Sequence, residues 1–168
     1  LPVERQPSWI RPSIGKVSEL EKTQAVISKF RLNTICEEAR CPNRGECFAA
    51  GTATFLIGGS KCTRSCAFCQ VEKGSPEKEI DHLEADRIAN AVIQMNLKYV
   101  VITSVARDDL PDHGASLFTK TITAIRKSNP SIDIEVLTPD FWGGFTEKTL
   151  AISKQRERLA EVLRAKPI

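Results

Sequence analysis

The six cysteines of this 168-residue chain all fall between positions 36 and 69, in two groups of three. Cys36, Cys41 and Cys47 stand at C-x4-C-x5-C in "CEEARCPNRGEC"; Cys62, Cys66 and Cys69 stand at C-x3-C-x2-C in "CTRSCAFC". Groups this tight cannot staple distant parts of a chain, so a disulfide framework is a poor match and a reducing compartment a better one. Everything after Cys69 must then fold on apolar burial alone. With 168 residues and 41% hydrophobic side chains, the chain is long enough to bury one real core.

The patterning beyond the cysteines predicts how that core is built. Pro2, Pro7 and Pro12 make the first residues an extended arm. In "VSELEKTQAVISKF", Val17, Leu20, Ile27 and Phe30 share a helix face. "TATFLIGG" is β-rich and ends on two glycines, a strand running into the Cys62 loop. Ile88, Ala91, Val92 and Met95 recur at helical spacing, followed by the short apolar strand "KYVVITS". "ASLFTKTITAIRKS" is a second such helix with Phe118, Ile122 and Ile125 inward; "IDIEVLT" is a third strand and "LAISKQRERLAEVLRA" a third helix. Strands alternating with helices call for a parallel sheet, either open or closed into a barrel. Only three strand–helix units are visible, whereas an eightfold barrel needs about 250 residues. Residues 1–51 are expected to form an arm, a helix and a cysteine segment, and residues 52–168 the front half of a larger α/β domain.

Charge and hydropathy exclude some partners. The formal charge of +3 arises within residues 1–35, and nothing there interleaves basic and aromatic residues as a nucleic-acid surface does. No apolar run approaches the roughly 18 residues of a membrane span, and "LPVERQPSWIRP" lacks the apolar centre of a signal peptide. Residue 1 is Leu and the only Met is Met95, so a processed or shortened chain is expected. A bacterial cytoplasm is the first expectation for location; a mitochondrion or plastid stays open.

Reactive groups in parallel α/β folds sit at the C-terminal ends of strands, where the Cys62 loop lies. Three thiolates within eight residues can wrap one side of an iron–sulfur cube and leave one iron open to a ligand. A closed four-ligand site suits structure or electron transfer instead. Lys61 and Arg64 either offset the charge of such a cluster or are solvated loop cations. A rival arrangement is a Cys3His zinc site from Cys62, Cys66, Cys69 and His82, which leaves Cys36, Cys41 and Cys47 without a fourth ligand. Thr103, Ser104, Arg107, Asp108 and Asp109 follow the second strand, where they can bind polar groups of a ligand or form a turn with Asp112 or Ser116 capping the next helix. Phe141 and Trp142 either line an apolar channel or plug the end of the sheet, with plugging favoured. His82 and His113 fit surface or capping roles better than metal ligation.

C-x3-C-x2-C with Phe68 before its last cysteine, a strand ahead of it and βα units behind it resembles the radical S-adenosylmethionine superfamily. Together with the upstream trio, "TATFLIGGSKCTRSCAFC", "VVITSVARDDLPDHGAS" and "LTPDFWGG" narrow the resemblance to the lipoyl synthase family, from about Pro7 to the end. That resemblance implies the front half of a partial (β/α) radical-SAM barrel, similar to a TIM barrel, preceded by a cluster-binding extension. It implies two 4Fe–4S clusters and S-adenosylmethionine as cofactors. Cys36, Cys41 and Cys47 would hold an auxiliary cluster that donates sulfur; Cys62, Cys66 and Cys69 would hold the radical-generating one. Phe68, Thr103, Ser104, Arg107 and Asp108 would line the S-adenosylmethionine site, with Thr103 and Ser104 near its methionyl amino group.

The implied substrate is an octanoyl chain on a lysine of a lipoyl carrier domain, with sulfur inserted at C6 and C8. An unactivated C–H bond is beyond any side-chain base, so a cofactor-derived radical is needed. Implied partners are the octanoylated carrier, a low-potential reductant such as ferredoxin or flavodoxin, and an iron–sulfur cluster carrier; nucleic acid and membrane are not among them. A biotin-synthase-like enzyme is the neighbouring alternative, disfavoured by the upstream trio. Departures from the family pattern are His113 where glycine is usual and Phe48 where tryptophan is common. The family's serine ligand to the auxiliary cluster lies beyond this sequence, so little turnover is expected from residues 1–168 alone.

Overall fold

The structure, a computed structural model, describes residues 17–76, 79–141 and 148–167. The proline-bearing arm and the "WGG" at Trp142, Gly143 and Gly144 lie outside the described residues.

Three runs of β-branched and aromatic residues form the parallel part of a sheet: β2 (Thr52–Ile57), β5 (Tyr99–Ser104) and β6 (Asp133–Leu137). Phe55 lies level with Ile102, and Ile102 with Val136. A two-residue strand, β1 (Asn33–Thr34), adds antiparallel to β2, giving the order β1-β2-β5-β6. The second, small sheet pairs β3 (Lys61–Cys62) with β4 (Glu72–Lys73) in parallel.

Successive strand residues face opposite ways, and the two faces differ. Ala53, Phe55, Ile57, Val100, Ile102 and Ile134 belong to one core with α4 (Glu84–Gln94), α5 (Ala115–Ser128) and α6 (Lys148–Arg164). The helices supply Ile88, Val92, Phe118, Ile122, Ile125 and Val162. Full burial of such a side chain contributes roughly 1.5–3 kcal/mol. Helix α4 packs on α5, and α5 on α6, so the helices run in the same order as the strands they follow. On the other face Leu56, Val71 and Val105 form a second, smaller cluster with Ile35, Cys62 and Cys69 packed against it. The far strand β6 turns Asp133, Glu135 and Leu137 to solvent.

The segment before β2 joins the same core. Helix α1 (Val17–Lys29) buries Val26 and Ile27, as its spacing predicts for Ile27, while Leu20 and Phe30 pack partly buried. Two short helices not evident from periodicity, α2 (Ile35–Glu38) and α3 (Arg44–Ala49), add Cys36 and Phe48. Thr34 caps α2, its Oγ1 accepting from the Glu37 N–H at 3.3 Å.

Candidate metal centre

Strand β2 ends at Gly58 (φ +86°) and Gly59 (φ +103°), backbone that side chains with a Cβ seldom adopt. A Cβ on Gly58 would also meet Leu117 Cδ1 at 3.3 Å. The Gly58 peptide is gripped on both sides: its N–H donates to Glu84 Oε2 at 3.0 Å and its carbonyl accepts from Arg107 Nη1 at 3.0 Å. Burial pushes the Glu84 carboxyl above the ordinary range. From this turn the chain enters β3 and the cysteine loop, which returns as β4 with Gly74 N–H on the Cys62 carbonyl at 3.0 Å.

On that loop Cys62 and Cys69 are half-buried and Cys66 is exposed. Cys69 N–H donates to the Cys66 carbonyl at 3.2 Å, a turn that brings the two residues close. Cys62 Sγ accepts from Ala106 N–H at 3.3 Å, and Thr63 N–H donates to the Ala106 carbonyl at 3.1 Å. The loop is therefore docked on the segment after β5. Phe68 is 89% exposed, an aromatic ring left open beside the cysteines.

The upstream trio has a different setting. Cys36 lies in α2, Cys47 in α3 and Cys41 between them, with Cys41 N–H on the Cys36 carbonyl at 3.1 Å. Burial pushes the Cys36 thiol up, and the neighbouring Cys41 and Cys47 push the same way. Thr54 of β2 hydrogen-bonds Cys36 and opposes that rise.

None of the six cysteines is paired with another. Each set of three soft thiol donors is one short of the four-cysteine ligation of an iron–sulfur cluster, which leaves one position to another ligand. Among the described residues, no three Cys, His, Asp or Glu side chains already stand in a metal-holding arrangement, the Cys62, Cys66, Cys69 and His82 set included. Thiol sites commonly close around the metal as it binds.

The loop after β5 has its own network. Thr103 is 9% exposed and its hydroxyl donates to the Leu137 carbonyl at 2.9 Å; Ser104 is half-buried at the strand end. Arg107 is 3% exposed and forks onto Asp109 at 2.9 and 2.8 Å, holding that carboxyl below the usual carboxylate range. Asp108 takes the Arg64 fork at 2.8 and 2.7 Å and is likewise held low. Asp112 caps α5, accepting from Gly114 and Ser116 N–H groups at 3.1 and 2.8 Å. His113 sits at φ +53°, the strained region expected for a side chain at that position. Phe141 is fully buried, edge-on to Phe118 with ring centroids 6.1 Å apart, so it plugs the layer. His82 is exposed in the turn before α4.

No family model matches the chain. It is 65% identical over 167 residues to lipoyl synthase 2 of Prochlorococcus marinus, an alignment covering 99% of this chain and 54% of that protein. Lipoyl synthase 2 of a Nostoc species is 53% identical over 165 residues, with 98% and 54% covered. Lipoyl synthase of Deinococcus radiodurans is 48% identical over 140 residues, with 83% and 42% covered. In sequence, the chain belongs to the lipoyl synthase family. It spans about half the length of the curated relatives it matches.

The structure adds residues that sequence patterning did not single out. Glu84 closes the Gly58 turn from α4, and Asp140 reaches Arg64 from the loop after β6 at 2.7 Å. Arg64 is neither a free charge nor simply a solvated cation, being held by two carboxylates. Distance in sequence hid these partners: Glu84 opens α4 and Asp140 lies in the loop after β6.

Proposed function

We propose that the chain carries the cluster-binding half of a lipoyl synthase, which inserts sulfur at C6 and C8 of a carrier-bound octanoyl chain. The observation that carries this reading is the Cys62–Cys66–Cys69 loop, which leaves the C-terminal end of the first parallel strand and docks on the loop after the second. That is the end of a parallel sheet at which ligands are bound. Helices packed in strand order on one face, with a second face left for the cysteine loop, favour a partial barrel over a doubly wound sheet. Residues 52–168 form its first three units, and residues 1–51 the extension that brings the second set of thiols.

On this reading Cys62, Cys66 and Cys69 bind a 4Fe–4S cluster and leave one iron open for S-adenosylmethionine; Cys36, Cys41 and Cys47 bind the auxiliary, sulfur-donating cluster. When bound, the first cluster supplies the low-potential electron for reductive cleavage of S-adenosylmethionine. Ser104 and Thr103, at the end of β5, border the methionyl end of the cofactor, and the exposed Phe68 ring offers an apolar face to its adenosyl part. Arg107 and Asp108, committed to Asp109 with Gly58 and to Arg64, shape the walls of that site. The partners that follow are an octanoylated carrier domain, a ferredoxin- or flavodoxin-like reductant and a cluster carrier. No helix among the described residues is long and apolar enough to cross a membrane, and a bacterial cytoplasm is the proposed location.

Anaerobic reconstitution with iron and sulfide tests this directly. About eight irons per chain, falling to about four when Cys62, Cys66 and Cys69 are replaced by Ala, is the expected result. Stoichiometric zinc without labile sulfide would overturn it in favour of a structural module. Iron lost entirely in the triple variant would keep the radical site and remove the auxiliary one from this length of chain. Turnover to lipoyl product is expected only from a chain that also supplies the remaining half.

A further inference from the structure

One side chain joins the loops that follow all three parallel strands. Arg64, between Cys62 and Cys66, donates through Nε and Nη2 to Asp108 at 2.8 and 2.7 Å, and its Nη1 lies 2.7 Å from Asp140 Oδ1. Arg64 lies between β3 and β4, in the excursion that follows β2; Asp108 belongs to the loop after β5 and Asp140 to the loop after β6. The planar guanidinium is the one side-chain cation whose donors can serve two carboxylates at fixed angles. Lysine would keep the charge and lose the geometry.

Both acids are themselves held. The Asp108 carboxylate lies 2.7 Å from the Thr63 hydroxyl, and its backbone N–H also reaches that hydroxyl, at 3.3 Å. Asp140 precedes Phe141, which is fully buried at φ +51° with its ring edge-on to Phe118. The Phe141 carbonyl accepts from Arg158 Nη1 of α6 at 2.8 Å. Such a backbone conformation persists only where its surroundings over-determine it. The third strand–helix unit therefore aims one acid, and the second unit another, at the residue between two of the cysteines.

We infer that Arg64, through Asp108 and Asp140, is a positioning residue for the Cys62–Cys66–Cys69 site. This rests on the proposal that the downstream trio holds a cluster. The clasp fixes the path of the loop before any metal arrives, and makes the geometry of the thiols depend on the loop after β6. With its donors committed to two carboxylates, Arg64 serves the site by geometry.

The test compares the full chain with Arg64→Gln, Arg64→Lys, Asp140→Asn and the Arg64→Gln/Asp140→Asn pair. In the metal-free chain, amide exchange of residues 62–70 is expected to rise in Arg64→Gln and Asp140→Asn, with thermal unfolding little changed. After anaerobic loading, iron at the downstream site should be lost to a chelator roughly 10-fold faster, the size typical when a ligand's supporting contacts are removed. The paramagnetic spectrum of the reduced cluster should broaden on addition of S-adenosylmethionine, Arg64→Lys should rescue only in part, and the pair should be no worse than Arg64→Gln alone. Parent-like exchange and iron retention in Arg64→Gln would overturn the clasp. So would additive losses that track a fall in thermal stability, which mark a general structural role. A parent chain that takes up no iron at Cys62, Cys66 and Cys69 would overturn the cluster reading and, with it, the clasp's purpose; the exchange measurement would still report whether the clasp exists.

Discussion

The two cysteine trios are held by different physics. Cys36 and its neighbours ride on α2 and α3, whose Phe48 and Cys36 are buried in the core shared with β2 and α4. Cys62, Cys66 and Cys69 ride on a half-exposed loop with only a small apolar cluster beneath Cys62 and Cys69, and are gripped chiefly by hydrogen bonds to Ala106 and by the Arg64 clasp. Apolar burial responds little to pH and is not screened by salt, whereas a partly exposed charge network is sensitive to both. On the proposed function, a sulfur-donating cluster would sit in a setting that outlasts it, and a site whose open face must admit S-adenosylmethionine would be fixed from its flanks.

The sharpest way to break that comparison is to empty the first setting. Phe48→Ala removes a ring 8% exposed from the shared core and is expected to cost about 3 kcal/mol in urea unfolding. Amide exchange around residues 36–47 should rise far more than around residues 62–70. Equal loosening of both would mean that the trios share one support. Asp108→Asn attacks the second setting and is expected to cost about 1 kcal/mol, since both partners are roughly a third exposed. Its pH signature is distinct. The Asp108 carboxyl is held low, chiefly by the Arg64 fork, so its contribution is present above the ordinary aspartate value near 4 and is lost as pH falls through the folded one. The variant should therefore flatten that part of the acid limb of the stability curve, while 0.5 M salt weakens the parent more than the variant.

Much of the sheet-and-helix frame could be read from residues alone. "ASLFTKTITAIRKS" forms α5 without an offset, because Phe118, Ile122 and Ile125 repeat at helical spacing and Asp112 caps its start. Strands β2, β5 and β6 announced themselves as short β-branched runs between turn residues. What escaped was either too short or too distant. Helices α2 and α3 and strand β1 hold too few residues for a period to show. Arg64 finds Asp108 and Asp140 only after three parallel strands have been brought side by side. Local spacing reports which residues share a face; it does not report which loops meet at the end of a sheet. Thr103 shows the same limit, because its hydroxyl is bound to the Leu137 carbonyl of the neighbouring strand.

The smallest effect concerns His113, which stands at φ +53° with its Nδ1 3.5 Å from Asp108 Oδ1, buried and without a hydrogen-bond partner. Burial lowers its pKa, with nearby Arg158 and Arg64 acting the same way and Asp108 and Asp112 opposing. The sign follows: the neutral ring is favoured in the folded chain, so its contribution is complete above the ordinary histidine value near 6.5 and is lost as pH falls through the folded value. His113→Gly removes a left-handed backbone strain of about 1 kcal/mol and adds nearly as much unfolded-chain entropy. Thermal unfolding at pH 8 should therefore differ little between parent and variant, whereas at pH 5 the variant should be the more stable. A variant that loses stability equally at both pH values would mean that the imidazole contributes by packing alone, and that acid reaches the downstream loop only through its carboxylates.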